Sequence, residues 1–274
     1  MEKIIATGGQ GYIVSLVKSY NESLYDWVTL GRKQLDLSET EKVAEYFNNE
    51  DYDIVFHAGA MPKTSDCEEL PELTYLVNVA STKEIVNACK RKNKRLIFIS
   101  SEQVYNGRKE EGPFTEDEAT SAVTAYGRHK IECEQYITEN LNDYLILRFS
   151  WMYGMSMPNV KVSANIISNV MNAHVVAENF GKIVGLPAGI YNVTSECELN
   201  TYEAAKEVAY KIGFSREETD KYILPNHERY KDRFRDYRLD NSKIKQAGLP
   251  FKTFDEEMDR CLSDFGWLKK RDDV

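Results

Sequence analysis

The stretch Lys3-Ile4-Ile5-Ala6-Thr7-Gly8-Gly9-Gln10-Gly11-Tyr12-Ile13-Val14 decides the fold of this chain. A short β-branched run ends in a glycine-rich turn and passes directly into Tyr12–Tyr20, where apolar residues recur at helical spacing. Strand, tight turn and helix are expected in that order. Gly8 and Gly11 then stand where small residues let a backbone approach a pyrophosphate at the positive end of a helix. A tight turn with no ligand has the same composition, so the rest of the chain must decide between the two.

Outward from that turn the alternation continues. Strands are expected at 27–30, 53–57, 95–100 and 144–149. Helices are expected at 39–48 behind a Ser38 cap, at 75–92 and at 124–140. Strands separated by helices of ten or more residues imply right-handed βαβ units and a parallel sheet covered on both faces. After Trp151 the pattern loosens, with a strand expected at 189–193 and a helix at 201–212. The fold class is therefore α/β, a doubly wound parallel sheet of the Rossmann kind over residues 1–150. A smaller mixed α/β lobe over 151–274 is partly interleaved with it. The cleft between them is the default ligand site.

The chain has 274 residues, enough for two domains at most, and a formal net charge of -9 with no dense basic run, which argues against a nucleic-acid partner. No apolar run approaches the ~20 residues of a membrane span, and the chain opens on a strand-like segment rather than a leader, so a cytoplasmic protein is expected. Cys67, Cys89, Cys133, Cys197 and Cys261 form no C-x-x-C pair and read as reduced. His57, His129, His174 and His227 lack metal-ligand spacing, so no metal is expected, and His129 reads as a solvated surface residue. The segment 226–240, with four Arg and three Asp, reads first as a solvated charged face and second as an anion site.

The sharpest chemical signal is Tyr126-Gly-Arg-His-Lys130. A spacing of four on a helix puts the phenol and the ammonium on one face. A free tyrosine, with a pKa of about 10, is a poor acid–base group near neutrality, and a neighbouring ammonium is expected to stabilise the phenolate and bring it into range. Alone, such a pair is common. Upstream, however, a buried strand delivers Ser100 and Ser101 at its carboxyl end, where open α/β sheets bind ligands, and Ser101 can hydrogen-bond a carbonyl oxygen. At the end of the second strand, Arg32 stands where an acidic residue would usually meet a free ribose hydroxyl. Its planar fork suits a 2′-phosphate, which tilts the cofactor expectation toward NADP(H) over NAD(H).

With these residues in hand, the chain resembles the extended short-chain dehydrogenase/reductases and, more closely, the dTDP-4-dehydrorhamnose reductase family. The resemblance rests on T-G-G-Q-G at 7–11, L-D-L at 35–37, H-A-G-A at 57–60, N-V-A-S-T at 78–82, S-S-E-Q-V-Y-N-G at 100–107, Y-G-R-H-K at 126–130, L-R-F-S-W-M-Y-G at 147–154 and R-D-Y-R-L-D at 235–240. It implies hydride transfer from NAD(P)H to the 4-keto carbon of a nucleotide-linked deoxysugar, in the biosynthesis of deoxysugars and cell-surface polysaccharides. Ser101, Tyr126 and Lys130 would hold the catalytic positions, and Glu102 and Trp151 would meet the sugar nucleotide. The dinucleotide would lie along Gly8, Gln10, Gly11, Tyr12 and Ile13, with Arg32, Asp36 and Leu37 at its adenosine end. Ala58, Gly59, Ala60 and Met61 would form the turn beneath it, and Tyr126 and Lys130 would lie at its nicotinamide end.

Related 4,6-dehydratases carry an Asp-Glu pair after the Ser/Thr position. Here Glu102-Gln103 stands there, and an amide cannot give up a proton as a carboxylic acid does, so reduction is preferred to elimination. Val14 replaces the last glycine of the fingerprint, where it is expected to push the helix from the strand, and Cys133 replaces another glycine. The run from Tyr153 to Gly189 is shorter than in relatives, as if a strand and loop over the sugar were missing near Ala173-His174. A dinucleotide-binding regulatory protein of the same fold and a nucleotide-sugar epimerase are the alternative readings. A homodimer is the default assembly.

Overall fold

A computed structural model describes residues 1–108, 113–152, 161–196, 199–227 and 234–264. Tyr153, Cys197 and the middle of the charged 226–240 segment lie outside the described residues. The first half runs β1 (Lys3–Thr7), α1 (Tyr12–Asn21), β2 (Asp26–Leu30), α2 (Thr40–Asn49), β3 (Ile54–His57), α3 (Thr64–Glu69), α4 (Pro71–Tyr75), a π-helical turn (Leu76–Ala80), α5 (Ser81–Lys92), β4 (Arg95–Ser101), α6 (Ala125–Asn140) and β5 (Tyr144–Phe149). Then follow β6 (Trp151–Met152), β7 (Lys161–Ser163), β8 (Ile166–Ile167), β9 (Val170–Met171), α7 (Ala173–Glu178), α8 (Phe180–Val184), β10 (Gly189–Val193), α9 (Thr201–Lys211), α10 (Arg216–Tyr222), β11 (Leu224–Asn226), β12 (Arg235–Asp236), α11 (Ser242–Gln246) and α12 (Phe254–Asp264).

Six strands form one parallel sheet in the order β10-β5-β4-β3-β1-β2. Successive residues of each strand feed opposite faces, so Ile4 and Ala6 join Phe56, Leu147 and Phe180 in one core, while Ile5 joins Val55, Phe98 and Ile146 in the other. Both faces are covered, as the sequence pattern predicts for a doubly wound sheet. The sixth strand, β10, comes from beyond residue 151 and pairs with β5. The remaining strands pair only in twos: β6 with β9, β7 with β11 and β8 with β12. Among the described residues no helix is long and apolar enough to cross a membrane.

Several local expectations are corrected. Ser38 does not cap α2. Glu39 holds the N-cap position without a side-chain bond, and the Ser38 amide and hydroxyl both donate to Asp36 instead. The helix expected over 75–92 is preceded by α3 and α4 and enters α5 through the π turn. Val14 is fully buried within the first core, and the turn before it stays closed by a 2.7 Å hydrogen bond from the Gly11 amide to the Gly8 carbonyl, so the valine is absorbed rather than prising helix from strand. α7 occupies Ala173–Glu178, buried from Ala173 to Ala177 and packed on α1. The charged segment is not a solvated face where it is described: Arg235 and Asp236 are buried, and Arg238 closes a two-pronged ion pair on Asp236. His129 is half-buried, its ring against Tyr75. Cys67, Cys89, Cys133 and Cys261 are free thiols, all buried.

Candidate active site

Strand order reverses between β1 and β3, which makes their carboxyl ends the topological switch point. There the two turns touch. Gly8 has φ +75°, and a Cβ on it would lie 3.0 Å from the Cα and amide nitrogen of Gly59. The turn is thus glycine for conformation and for closeness at once. No side chain caps α1, whose first amides face this turn. A cavity of about 190 Å³ opens beside it and brings together Gly8, Arg32, Asp36, Leu37, Gly59, Ala60 and Met61 of the residues expected from sequence. Leu30, Gly31, Leu35 and Val77 complete its wall. The residues present fit a dinucleotide, because a cradle that a single Cβ would fill lies at the switch point. Gln10, Gly11, Tyr12, Ile13 and Ala58 do not line this cavity. Gln10 packs on Gly31, Ile13 is buried in the core, and Tyr12 and Ala58 pack against it.

A buried polar chain that sequence reasoning missed supports the Gly59 turn. The Thr82 hydroxyl donates to the Asn78 carbonyl at 2.8 Å, so its oxygen is left to accept from His57 Nε2 at 2.8 Å. Nδ1 of the ring then accepts from the Thr7 hydroxyl at 2.6 Å, and the Thr7 oxygen accepts from the Gly59 amide at 3.0 Å. Burial, with the Lys130 charge adding, holds the His57 imidazole down to about 3, so it is neutral. Asn78, in the π turn, clamps Met61 from both sides, accepting from its amide at 2.7 Å and donating to its carbonyl at 3.0 Å. The same side chain lies 3.4 Å from His129 Nδ1 on α6, which ties the cavity wall to the helix of Tyr126.

Thr124 starts α6, its hydroxyl oxygen accepting from the Gly127 amide at 3.0 Å and its proton going to Gln103. Gly127 is pressed so close to the turn after β4 that a Cβ there would lie 2.1 Å from the Gln103 carbonyl oxygen. The helix therefore seats Tyr126 and Lys130 against the carboxyl end of β4, where Ser101 ends the strand and its Oγ accepts from the Gln103 amide. Lys130 Nζ donates to the Ile99 carbonyl at 2.7 Å and lies 4.4 Å from the Phe98 ring centroid and 5.6 Å from that of Tyr126. Both side chains are buried. Further along α6, Glu134 takes a forked ion pair from Arg148 on β5 and a hydroxyl bond from Ser100, which fixes the helix to the sheet.

The electrostatics reverse one expectation. Burial pushes the Tyr126 phenol up from its ordinary value, with Cys67 and Cys133 adding, and pulls the Lys130 ammonium down to about 8. The ammonium is spent on a backbone carbonyl, and removal of both groups from water outweighs their mutual help. The phenol is thus a retained proton, suited to an acid. Glu102 is buried and accepts a hydrogen bond from the Ser168 hydroxyl, whereas Trp151 is 40 % exposed on β6, outside the buried Tyr126–Lys130 group.

Residues 1–182 match the family described as the RmlD substrate binding domain. The chain belongs to this family. Among curated relatives of this RmlD-type chain, the spore coat polysaccharide biosynthesis protein SpsK of Bacillus subtilis is 25% identical over 228 residues, covering 78% of this chain and 80% of the relative. A dTDP-4-dehydrorhamnose reductase of Sinorhizobium fredii is 27% identical over 180 residues, 65% of this chain and 60% of the relative, so the alignment spans less than two thirds of that protein. A solved dTDP-4-dehydrorhamnose reductase of Bacillus anthracis in complex with NADP shares the fold with a TM-score of 0.84 at 21% identity, over 96% of this chain and 98% of that one.

Proposed function

We propose that this chain is an NAD(P)H-dependent reductase of a nucleotide-linked 4-keto-6-deoxysugar, of the dTDP-4-dehydrorhamnose reductase type, with NADP(H) slightly preferred. The observation that carries the reading is the buried Tyr126–Lys130 pair, with Lys130 bound to the Ile99 carbonyl of β4, in a chain whose β1 and β3 turns form a dinucleotide-shaped cradle. The bound dinucleotide supplies hydride. The chain's own residues do the rest. The Ser101 hydroxyl donates to the substrate carbonyl oxygen and orients it. Tyr126, whose proton is retained, gives that proton to the oxygen as it becomes an alkoxide, so that ketone, hydride and proton add up to an alcohol. Lys130 steadies the nicotinamide ribose and keeps a positive field behind the phenol. Glu102 and Trp151 meet the sugar nucleotide. Gln103 supports reduction over elimination, since it carries an amide and is tied to Thr124. Products of this kind feed cell-surface polysaccharides, in line with the name of SpsK, a spore coat polysaccharide biosynthesis protein, and a cytoplasmic setting completes the proposal.

The test is NADPH absorbance during incubation with dTDP-4-keto-6-deoxy-L-mannose. Consumption is expected, and Tyr126→Phe should lower kcat by roughly 10²–10⁴-fold while leaving the melting temperature in place. A flat trace, or one that Tyr126→Phe leaves unchanged, overturns the reading. Product without net consumption of cofactor would mark an epimerase instead, and cofactor binding without turnover a regulatory protein.

A further inference from the structure

His129 stands on α6 between Tyr126 and Lys130, and its Nδ1 lies 3.4 Å from Asn78 Nδ2 in the π turn. The contacts of Asn78 decide what that ring must be. The Met61 amide can only donate, at 2.7 Å, so the atom it meets is the Asn78 carbonyl oxygen and the opposite atom is the nitrogen. That nitrogen has two protons. One goes to the Met61 carbonyl at 3.0 Å, and the other has within reach the His129 ring at 3.4 Å and the Cys67 sulfur of α3, a weak acceptor, at 3.8 Å. A donor facing Nδ1 requires a lone pair there, so the imidazole is neutral with its proton on Nε2. A second ring proton would set N–H against N–H.

The surroundings favour the neutral form. Burial comes first in pulling the ring below its ordinary 6.5; Glu132 works against it, Arg128 and Lys130 add to it, and Glu68 of α3 opposes. Each carboxylate has partners of its own: Glu132 accepts from the Tyr75 hydroxyl at 2.8 Å and from Lys83 of α5 at 2.6 Å, and Glu68 accepts from the Ala125 amide at 3.1 Å. Tyr75 of α4 meets the imidazole in a T-shaped contact. Met61 lines the cavity beside Gly59 and Ala60, so the Asn78 clamp sets the wall on which a dinucleotide would lie. We infer that His129 is a positioning residue for the dinucleotide: as the neutral imidazole it fixes the Asn78 amide that clamps the Met61 turn, and protonation of the ring loosens that clamp. This rests on the dinucleotide reading given above.

The experiment is calorimetry on the full chain between about pH 5.5 and 7.5, with NAD⁺, whose own charge is constant over that range, and NADP⁺ in parallel. Wild-type affinity for NAD⁺ should be level at the upper end and fall about tenfold toward the lower, the scale of one lost hydrogen bond. His129→Asn keeps an oxygen to accept from Asn78 and cannot titrate here, so it should bind like wild type at the upper end and lose the slope. His129→Leu has no acceptor and should bind about tenfold more weakly throughout, again without the slope. The Lys130 ammonium, held to about 8, is common to all three proteins and cancels in the comparison. The wild-type slope persisting in His129→Asn, or wild-type affinity at the upper end in His129→Leu, overturns the inference while the dinucleotide reading stands. If neither nucleotide binds the wild-type chain at any pH, that reading falls and takes the inference with it.

Discussion

The rim at the carboxyl ends of β1, β3 and β4 and the segment from 161 to 241 hold their chain in place by different means. At the rim, backbones meet: Gly8 on Gly59, and Gly127 on Gln103. In the second region every described strand but β10 is two or three residues long, and asparagine side chains do much of the joining. Asn169 accepts from the Leu239 amide, Asn172 donates to the Glu257 carbonyl, Asn192 to those of Phe114 and Asp240, and Asn241 to that of Thr194. A ladder of parallel strands fixes positions to within a pleat. Side-chain amides fix them one bond at a time, and such a lobe can be reshaped around different substrates while the rim stays constant.

That contrast can be broken at its strongest point by Gly127→Ala. The added carbon meets backbone rather than a movable side chain, so the cost should be on the order of 5 kcal/mol, or outright loss of folded protein, measured by denaturant titration. A cost below ~1 kcal/mol would show that the rim yields and that the contrast is overstated. Next in size is the pH dependence of the His57 chain. The imidazole is held to about 3 in the fold against an ordinary 6.5, so between those values the unfolded chain binds the extra proton. Its contribution is therefore fully present above about pH 6.5 and is lost as pH falls toward 3, by up to about 5 kcal/mol. His57→Gln should flatten the stability profile in that window relative to wild type, and parallel profiles would remove the histidine from the account. The smallest effect belongs to the second region. Asn192→Leu removes a donor from the Phe114 and Asp240 carbonyls, of which the first keeps the Asp240 amide, and should cost about 2 kcal/mol, with the fold retained and KM for the sugar nucleotide disturbed more than that for the dinucleotide. Equal disturbance of both would place Asn192 with the rim.

The first half was legible because its strands are continuous apolar runs and its helices are long enough to show a period. β5 and β10 fall where alternation and β-branching put them, and the spacing of Tyr126 and Lys130 reads directly off the helix. α3 was not legible. Thr64–Glu69 is short and polar, and a single buried residue, Cys67, holds it down. The π turn shifts the helical phase within 71–92, which hides Asn78 from any count by 3.6. Thr7, His57 and Thr82 lie 50 and 25 residues apart in sequence, and nothing local links them. The sign of the Tyr126 shift was out of reach for the same reason: it comes from burial of the ring first, with Cys67 and Cys133 adding, and spacing along one helix carries the ammonium but not the burial. The second region resists reading because asparagine has no period.

The late arrival of β10 has a consequence for synthesis on the ribosome. The outer edge of β5 has no partner until residues 189–193 have emerged, and until then a buried-type strand, Tyr144–Phe149, presents an open ladder to its surroundings. Nascent chains stalled between these two points would be the ones to stick to each other, and chaperone demand should peak there and fall once the last strand zips on.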